Sequence, residues 1–283
     1  MKRLFIINPK SGAKRGGVDS LKAAIKKHFP SADIALTNAP GHAKELAKQN
    51  YDQITACGGD GTINEIVQSL AGTKTALGII PLGSGNGLAR ELGAPLDNFE
   101  AACNNILKAC PARCDLGRAN GEYFVNLAGL GLEADIAAAF DKQSGRGKWP
   151  YFKIGARKFL SYKAPQVSVE IDGGETINTR PLTLVFSNGR QYGSGFKIAP
   201  QASFGDGLLD MVYIENKGIL RHILCLPNFF KPGISPCETR KFHKIKKAVA
   251  RLEGGFNYHI DGEPRRAKDL LEIEIAPGAI YLL

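Results

Sequence analysis

The 283-residue chain has no apolar run near the roughly 20 residues needed to span a bilayer. Its opening MKRLFIINPKSG offers only four consecutive apolar residues before Asn8, too few for a signal-peptide core. Together they set an expectation of cytoplasmic residence. No internal repeat and no low-complexity tract occurs. The six cysteines, Cys57, Cys103, Cys110, Cys114, Cys225 and Cys237, do not form a disulfide framework for a chain this long. Cys110 and Cys114 lack a second pair or a His at zinc-ligand spacing, so small buried thiols are expected. Neither GxGxxG nor GxxxxGK[ST] appears, which excludes the mechanisms tied to those two phosphate motifs. Basic residues are not gathered into a nucleic-acid reading motif.

What is present is a basic, well-packed composition. Lys and Arg number 37 against 27 Asp and Glu, a formal net charge of +10, which suits an anionic partner such as a nucleotide or acidic lipid headgroups. With 43% hydrophobic residues the chain can build two modest cores. Its first third alternates strand and helix patterns. RLFIIN, DIALT, QITAC and TALGIIP read as strands, and 18–29, 42–49, 63–70 and 86–93 as helices. Such alternation predicts a doubly wound α/β domain with a parallel-rich sheet, over 1–118. From 119 to 283, after a helical insert at about 132–162, strand patterns dominate and predict an antiparallel β domain. Among them HKIKKAVARL reads as one strand, and 219–230 as a helix packed on the sheet.

In a parallel α/β sheet, ligands bind at the carboxyl ends of strands. Here those ends read NPKSG (8–12), Thr37-Asn38, GGDGT (58–62) and PLGSGN (81–86). Glycines let backbone approach phosphate, helix-opening amides point at it, and hydroxyls add donors. Their convergence predicts a polyphosphate ligand. Asp60 would repel phosphate unless a cation lies between, and Mg²⁺ takes carboxylate and phosphate oxygens together; capping of the following helix is the plainer alternative. Glu65 either orients part of the ligand or sits on a solvated helix face. In HIDGEP (259–264), Asp261 and Glu263 offer a general base for phosphoryl transfer, or an ordinary Asp-Gly hairpin turn. Asp206, in GDGLLD, is either a turn or a hard-cation site built with carbonyls.

In this order, NPKSG, GGDGTINE, PLGSGNGLAR, GDGLLD and HIDGEP resemble the soluble lipid-kinase family of bacterial diacylglycerol kinases, diacylglycerol kinase catalytic domains and sphingosine kinases. The resemblance covers nearly the whole chain. It implies an NAD kinase/phosphofructokinase-like α/β domain, a C-terminal β-sandwich and an active site between them. ATP would lie on Asn8, Ser11, Gly12, Thr37, Gly58, Gly59, Asp60, Gly61, Thr62, Glu65, Gly83 and Ser84. Asp60 would be tied to the catalytic Mg²⁺. Asp261 would be the general base, assisted by Glu263, and Asp206 with the carbonyl of Leu209 would hold a structural Mg²⁺. The acceptor implied is a lipid alcohol, diacylglycerol first and a sphingoid base as the alternative. The GSGN form is nearer to the sphingosine kinases, but Ala137 and Ala138 stand where those carry an additional acid after the position of Asp135. Further alternatives are an NAD kinase-like enzyme and a non-catalytic lipid or nucleotide sensor. The aromatic and basic residues of 134–163 and 240–251 suit peripheral contact with an anionic membrane surface. Oligomeric state is left open.

Overall fold

The computed structural model describes residues 1–11, 17–83, 85–141, 158–159, 161–192, 196–216, 224–230 and 239–283. The chain divides into two units, 1–116 with 204–206 and 276–283, and 117–203 with 207–275.

The first unit is built on strands β1 (Arg3–Ile7), β2 (Asp33–Leu36), β3 (Gln53–Gly58) and β4 (Ala76–Pro81). They lie parallel in the order β2-β1-β3-β4. Every residue of β3 and β4 is buried, as expected of central parallel strands covered on both faces. Helices α1 (Gly17–His28), α2 (His42–Leu46), α3 (Asp60–Leu70), α4 (Gly87–Glu91) and α5 (Phe99–Lys108) connect or cover them. Leu21, Ala24 and Ile25 of α1 pack with Phe5, Ile7 and Cys57, and with Ala102, Cys103 and Ile106 of α5. Burial pushes the Cys57 thiol well up, and the Cys103 thiol up to about 11, so both behave as small apolar side chains. Helix α5 was not expected from the sequence; Asn98 caps it, its side chain accepting from the Ala101 amide at 3.0 Å. Strand order reverses between β1 and β3, so the carboxyl ends of these two strands form the topological switch point.

The second unit continues from β5 (Ala112–Ala119) through β6 (Glu122–Phe124), β7 (Leu127–Gly131) and α6 (Leu132–Asp141). It adds β8 (Val167–Ile171), β9 (Glu175–Thr179), β10 (Pro181–Ser187), β11 (Leu209–Glu215), β12 (Arg240–Ile245), β13 (Lys247–Arg251), β14 (Phe256–Ile260), β15 (Glu263–Ala267) and β16 (Leu270–Leu282). One antiparallel sheet runs β12-β11-β10-β7-β14-β15. Strands β9, β8, β13 and residues 270–274 of β16 form the other layer. Val167, Val169, Ala248, Ala250, Leu271 and Ile273 pack against Leu130, Leu184, Phe186, Met211, Tyr258 and Ile260 to make the sandwich core. The alternate residues Leu127, Val185 and Val212 face the other side of the six-stranded sheet, where Ile198, Ala199 and Phe229 cover them.

Two expectations change. The stretch HKIKKAVARL is not one strand: β12 and β13 part at Lys246 and join different sheets. Asp172 pins the corner, its Oδ1 accepting from the Lys246 and Lys247 amides at 2.9 and 2.7 Å. Cys110 is exposed and Cys114 only half-buried, so neither is the small buried thiol expected, and Cys225 is disulfide-bonded. Most of the 132–162 insert lies outside the described residues; α6 is its helical beginning. Of the 219–230 helix, residues 224–230 are described, and they include a 3₁₀ turn, Leu226–Phe229. Residues 276–283 belong to the first unit, where Tyr281 and Leu282 pair in parallel with Ala76 and Leu77.

Candidate active site

The glycine-rich junction after β3 is helical from Asp60, three residues before the apolar periodicity of α3 begins at Ile63. Glycine and aspartate in a first turn carry no apolar stripe, which hid that turn in the sequence. Gly59 is the extended N-cap, so the first amides of α3 open at the carboxyl end of β3. The loop after β4 lies directly against this turn. A Cβ on Gly83 would fall 2.7 Å from the Cα of Gly59, and one on Gly59 would fall 3.3 Å from the Cα of Gly83. Only glycine permits such an approach.

Asp60 ties the two loops together. Its Oδ1 accepts from the Gly87 amide at 2.8 Å, at the start of α4. The plainer reading of Asp60 is thus met in altered form: it serves the neighbouring helix rather than its own. Asn86 closes the second loop from the left-handed region, with φ 51°, and donates from Nδ2 to the Gly83 carbonyl at 2.7 Å. From the end of β1, Asn8 donates through Nδ2 to Thr62 Oγ1 at 3.1 Å, and its Oδ1 accepts from the Lys10 amide at 3.0 Å. Ser11 folds back, its amide donating to the Asn8 carbonyl at 3.0 Å. Thr37 sits at the end of β2, its amide bonded to the Ile7 carbonyl at 2.9 Å. Glu65 does not lie idle on a solvated face: its two oxygens accept from the Gly41 and Ala43 amides at 2.9 and 3.1 Å. It caps α2, whose own N-cap is a glycine without a side chain. The first unit therefore brings Asn8, Gly58, Gly59, Asp60, Gly61, Thr62 and Gly83 to one rim, with Glu65 holding the adjoining loop. Gly12 and Ser84 lie outside the described residues.

This rim suits a triphosphate with Mg²⁺. The ion typically takes one or two carboxylates together with phosphate oxygens, rather than an all-protein cage. Asp60 offers that carboxylate beside helix-opening amides. No group of three or more His, Cys, Asp or Glu forms a metal cluster among the described residues. Asp206 is exposed, in the 204–206 segment of the first unit, and Leu209 is the buried first residue of β11 in the second. Sequence reading passed over Asp210, which is buried and pairs with Lys244 at 2.8 Å.

In the second unit, Asp261 and Gly262 are the two central residues of the β14–β15 hairpin, with φ 48° and 90°. Both positive values are what a two-residue type I′ turn requires. The side chain then does more than turn the chain. Asp261 Oδ1 accepts from the Asn126 and Leu127 amides at 2.9 and 3.1 Å, and Oδ2 from the Val125 amide at 2.9 Å. The carboxylate is half-buried and fixed on the lead-in to β7. Asn188 braces the same lead-in, donating from Nδ2 to the Val125 carbonyl at 2.8 Å. No sequence pattern marks Val125 and Asn126 as partners of Asp261, because they meet it only through the sheet. Glu263 opens β15 and is exposed. A cavity of about 210 Å³ lies beside α6, lined among others by Leu130, Asp135, Tyr162, Leu252, Phe256 and Arg266. There Asp135 accepts from Asn257 Nδ2 at 2.8 Å.

Two family models cover the chain: the diacylglycerol kinase catalytic domain matches residues 2–119, and the YegS C-terminal NAD kinase beta sandwich-like domain matches 126–283. This chain belongs to the diacylglycerol kinase and YegS-like lipid kinase family. A diacylglycerol kinase of Bacillus subtilis is 31% identical over 236 residues, covering 79% of this chain and 77% of its own. A diacylglycerol kinase of Mycobacterium tuberculosis is 32% identical over 300 residues, covering 98% and 93%. A Pseudomonas putida protein named "probable lipid kinase YegS-like" is 31% identical over 263 residues, covering 88% and 84%. The solved structure of a Bacillus anthracis diacylglycerol kinase shares the fold, with TM-score 0.75 and 23% identity, over 99% of this chain and 96% of that one. Membership in this lipid kinase family makes the protein a kinase and a transferase. Among the described residues, no helix is long and apolar enough to cross a membrane.

Proposed function

We propose that this kinase transfers the γ-phosphoryl group of ATP to the free hydroxyl of diacylglycerol, giving phosphatidic acid. The observation that carries the reading is the union of the two glycine loops through Gly59, Gly83 and the Asp60–Gly87 bond. Such a rim presents amides and one carboxylate to a polyphosphate and leaves no room for side chains. The names of the Bacillus subtilis and Mycobacterium tuberculosis relatives support diacylglycerol as the acceptor.

In the proposed reaction the acceptor oxygen attacks the γ-phosphorus. The bond from that phosphorus to the β–γ bridging oxygen breaks, and ADP leaves with the electron pair. The hydroxyl proton passes to the Asp261 carboxylate and then to solvent. The three amides that hold Asp261 keep its rotamer fixed for this role. Gly58, Gly59, Gly61, Thr62 and Gly83 orient the phosphates, with Asn8, Ser11, Thr37 and Glu65 supporting the nucleotide. Asp60 would hold Mg²⁺, which when bound would neutralise charge on the transferring group. Asp206 and the Leu209 carbonyl are proposed ligands of a second Mg²⁺, and Glu263 an aid to Asp261.

Contact with an anionic membrane surface is supported by Leu224, Phe230 and Phe242, which are exposed apolar side chains, and by the formal net charge of +10. A sphingoid base is the second reading, favoured by Asp135 in the wall of the cavity beside α6. The test is ATP-dependent phosphorylation of diacylglycerol and of sphingosine in mixed micelles, with products identified by mass spectrometry. Phosphatidic acid supports the first reading and sphingosine phosphate the second. Nucleotide binding without any lipid product supports a sensor instead.

A further inference from the structure

Asn188 follows β10 directly and is fully buried. With its neighbour it is tied to the lead-in of β7 by three hydrogen bonds. Its Nδ2 donates to the Val125 carbonyl at 2.8 Å. Its amide and that of Gly189 donate to the Asn126 carbonyl at 2.7 and 2.9 Å. Both lone pairs of that carbonyl are thereby engaged. Ser187 Oγ donates to the Gly189 carbonyl at 2.6 Å, which steadies the turn that supplies these donors. Val125, Asn126 and Leu127 are themselves buried, so their carbonyls depend on donors from the protein.

A peptide unit is planar, so a carbonyl held at one edge sets the direction of the amide at the other. The Val125 carbonyl and the Asn126 N–H share one such unit. The Asn126 carbonyl and the Leu127 N–H share the next. Those two amides are the ones that meet on Asp261 Oδ1, at 2.9 and 3.1 Å. Asn188 therefore stands behind both units, its side chain on the first and its backbone on the second. The Asp261 amide closes the ring by donating to the Leu127 carbonyl at 2.9 Å. The Val125 amide, which meets Oδ2 at 2.9 Å, belongs to the unit that begins at the Phe124 carbonyl, outside this pair. Amides that donate to a carboxylate favour its ionised form, and they do so only while they point at it.

We propose that Asn188 is a positioning residue for the phosphoryl transfer. Through two planar peptide units it aims the Asn126 and Leu127 amides at Asp261, and so holds that carboxylate, ionised and in one rotamer, for the acceptor hydroxyl. The inference rests on the lipid-kinase reading with Asp261 as the base. Because Asn188 acts through Asp261, its loss should fall on the chemical step and leave ground-state binding of both substrates alone.

Asn188→Ala removes the side-chain donor and keeps the backbone bonds of residues 188 and 189. Transfer of labelled phosphate to diacylglycerol in mixed micelles, run well below the lowest Tm, should show kcat reduced about 10- to 100-fold. KM for ATP and KM for diacylglycerol should stay within twofold of wild type. Asp172→Ala controls for a plain loss of stability, because it removes the pin on the Lys246 and Lys247 amides. It should lower Tm and keep kcat within twofold of wild type. Asn188→Leu is close in size and lacks the donor; it should show the same kcat loss and serves should the alanine variant fail to fold. A folded Asn188 variant with kcat within twofold of wild type overturns the role, as does a kcat loss in Asp172→Ala equal to that in Asn188→Ala. No lipid product from wild type, or wild-type turnover in Asp261→Asn, overturns instead the kinase reading or its base, and both are seen with Asn188 intact.

Discussion

Gly83→Ala tests the joined glycine loops where they are tightest. The added methyl would lie 2.7 Å from the Gly59 Cα and 2.8 Å from Asn86 Oδ1. The nearest atom is backbone, which cannot rotate aside, so one loop must move. Overpacking of this kind costs about 1–3 kcal/mol. The displaced loop also carries the helix start that Asp60 binds, so the loss should fall on nucleotide binding as well as on stability. If about 1.4–2.8 kcal/mol of it appears in binding, ATP affinity drops roughly 10- to 100-fold. Gly59→Ala is the internal control: its methyl would stand 3.3 Å from the Gly83 Cα, a tight but smaller intrusion, and should weaken ATP binding less. Titration calorimetry with Mg·ATP reads both variants, and a thermal melt reads the stability share. Wild-type ATP affinity in Gly83→Ala, or a larger loss in Gly59→Ala, would refute the reasoning.

Further outcomes are expected elsewhere. Asp261→Asn should abolish transfer while ATP affinity stays near wild type; because its amide NH₂ replaces one of the oxygens facing the backbone amides of residues 125–127, it should also cost about 1–3 kcal/mol by thermal melt. Substantial turnover in that variant would remove Asp261 as the base. Asp60→Ala should weaken Mg²⁺-dependent ATP binding and loosen the second loop together, and calorimetry with and without Mg²⁺ separates these effects. Stability should also depend on pH through two buried groups. Glu133 is raised to about 8, so the folded chain keeps a proton that the unfolded chain loses from about 4.5 upward. Stability from this group is full below that point and falls as pH rises to about 8. His259 is lowered from 6.5 to about 4, so its contribution is full above 6.5 and falls as pH drops toward 4. Between pH 6.5 and about 8, Glu133 is the one of these two groups that should slope, and Glu133→Gln should flatten the Tm profile there; an unchanged slope contradicts its burial.

The α/β alternation of the first unit was readable because β4 is a continuous apolar run, β3 carries Ile54, Ala56 and Cys57 between turn signals, and α1 has a clear stripe at Leu21, Ala24 and Ile25. The loops after β1, β3 and β4 stood out in the sequence by their Gly, Ser, Thr and Asn content. Their joining did not show, since the Asp60–Gly87 bond spans 27 residues and depends on the order β1-β3-β4. Helix α5 escaped because the signals around it, Pro95 and the cysteines, did not stand out as helical. β12 and β13 merged in the sequence because no turn residue separates them; the corner is supplied by Asp172, some 75 residues earlier. Asp261 read equally as turn or base, and the fold makes it a turn whose carboxylate is held by three amides. Glu133 and His259 carried no motif at all. The β7–β14 register sets His259 across from Gly129, and α6 brings Glu133 to the same glycine.

The measurement closest to the central claim is transfer of labelled γ-phosphate from ATP to diacylglycerol by the wild-type chain, run beside Asp60→Ala and Asp261→Asn. Mg²⁺-dependent formation of phosphatidic acid by wild type, absent in both variants, is the result expected. ATP bound but no lipid labelled by wild type, or labelling undiminished in the variants, would contradict it.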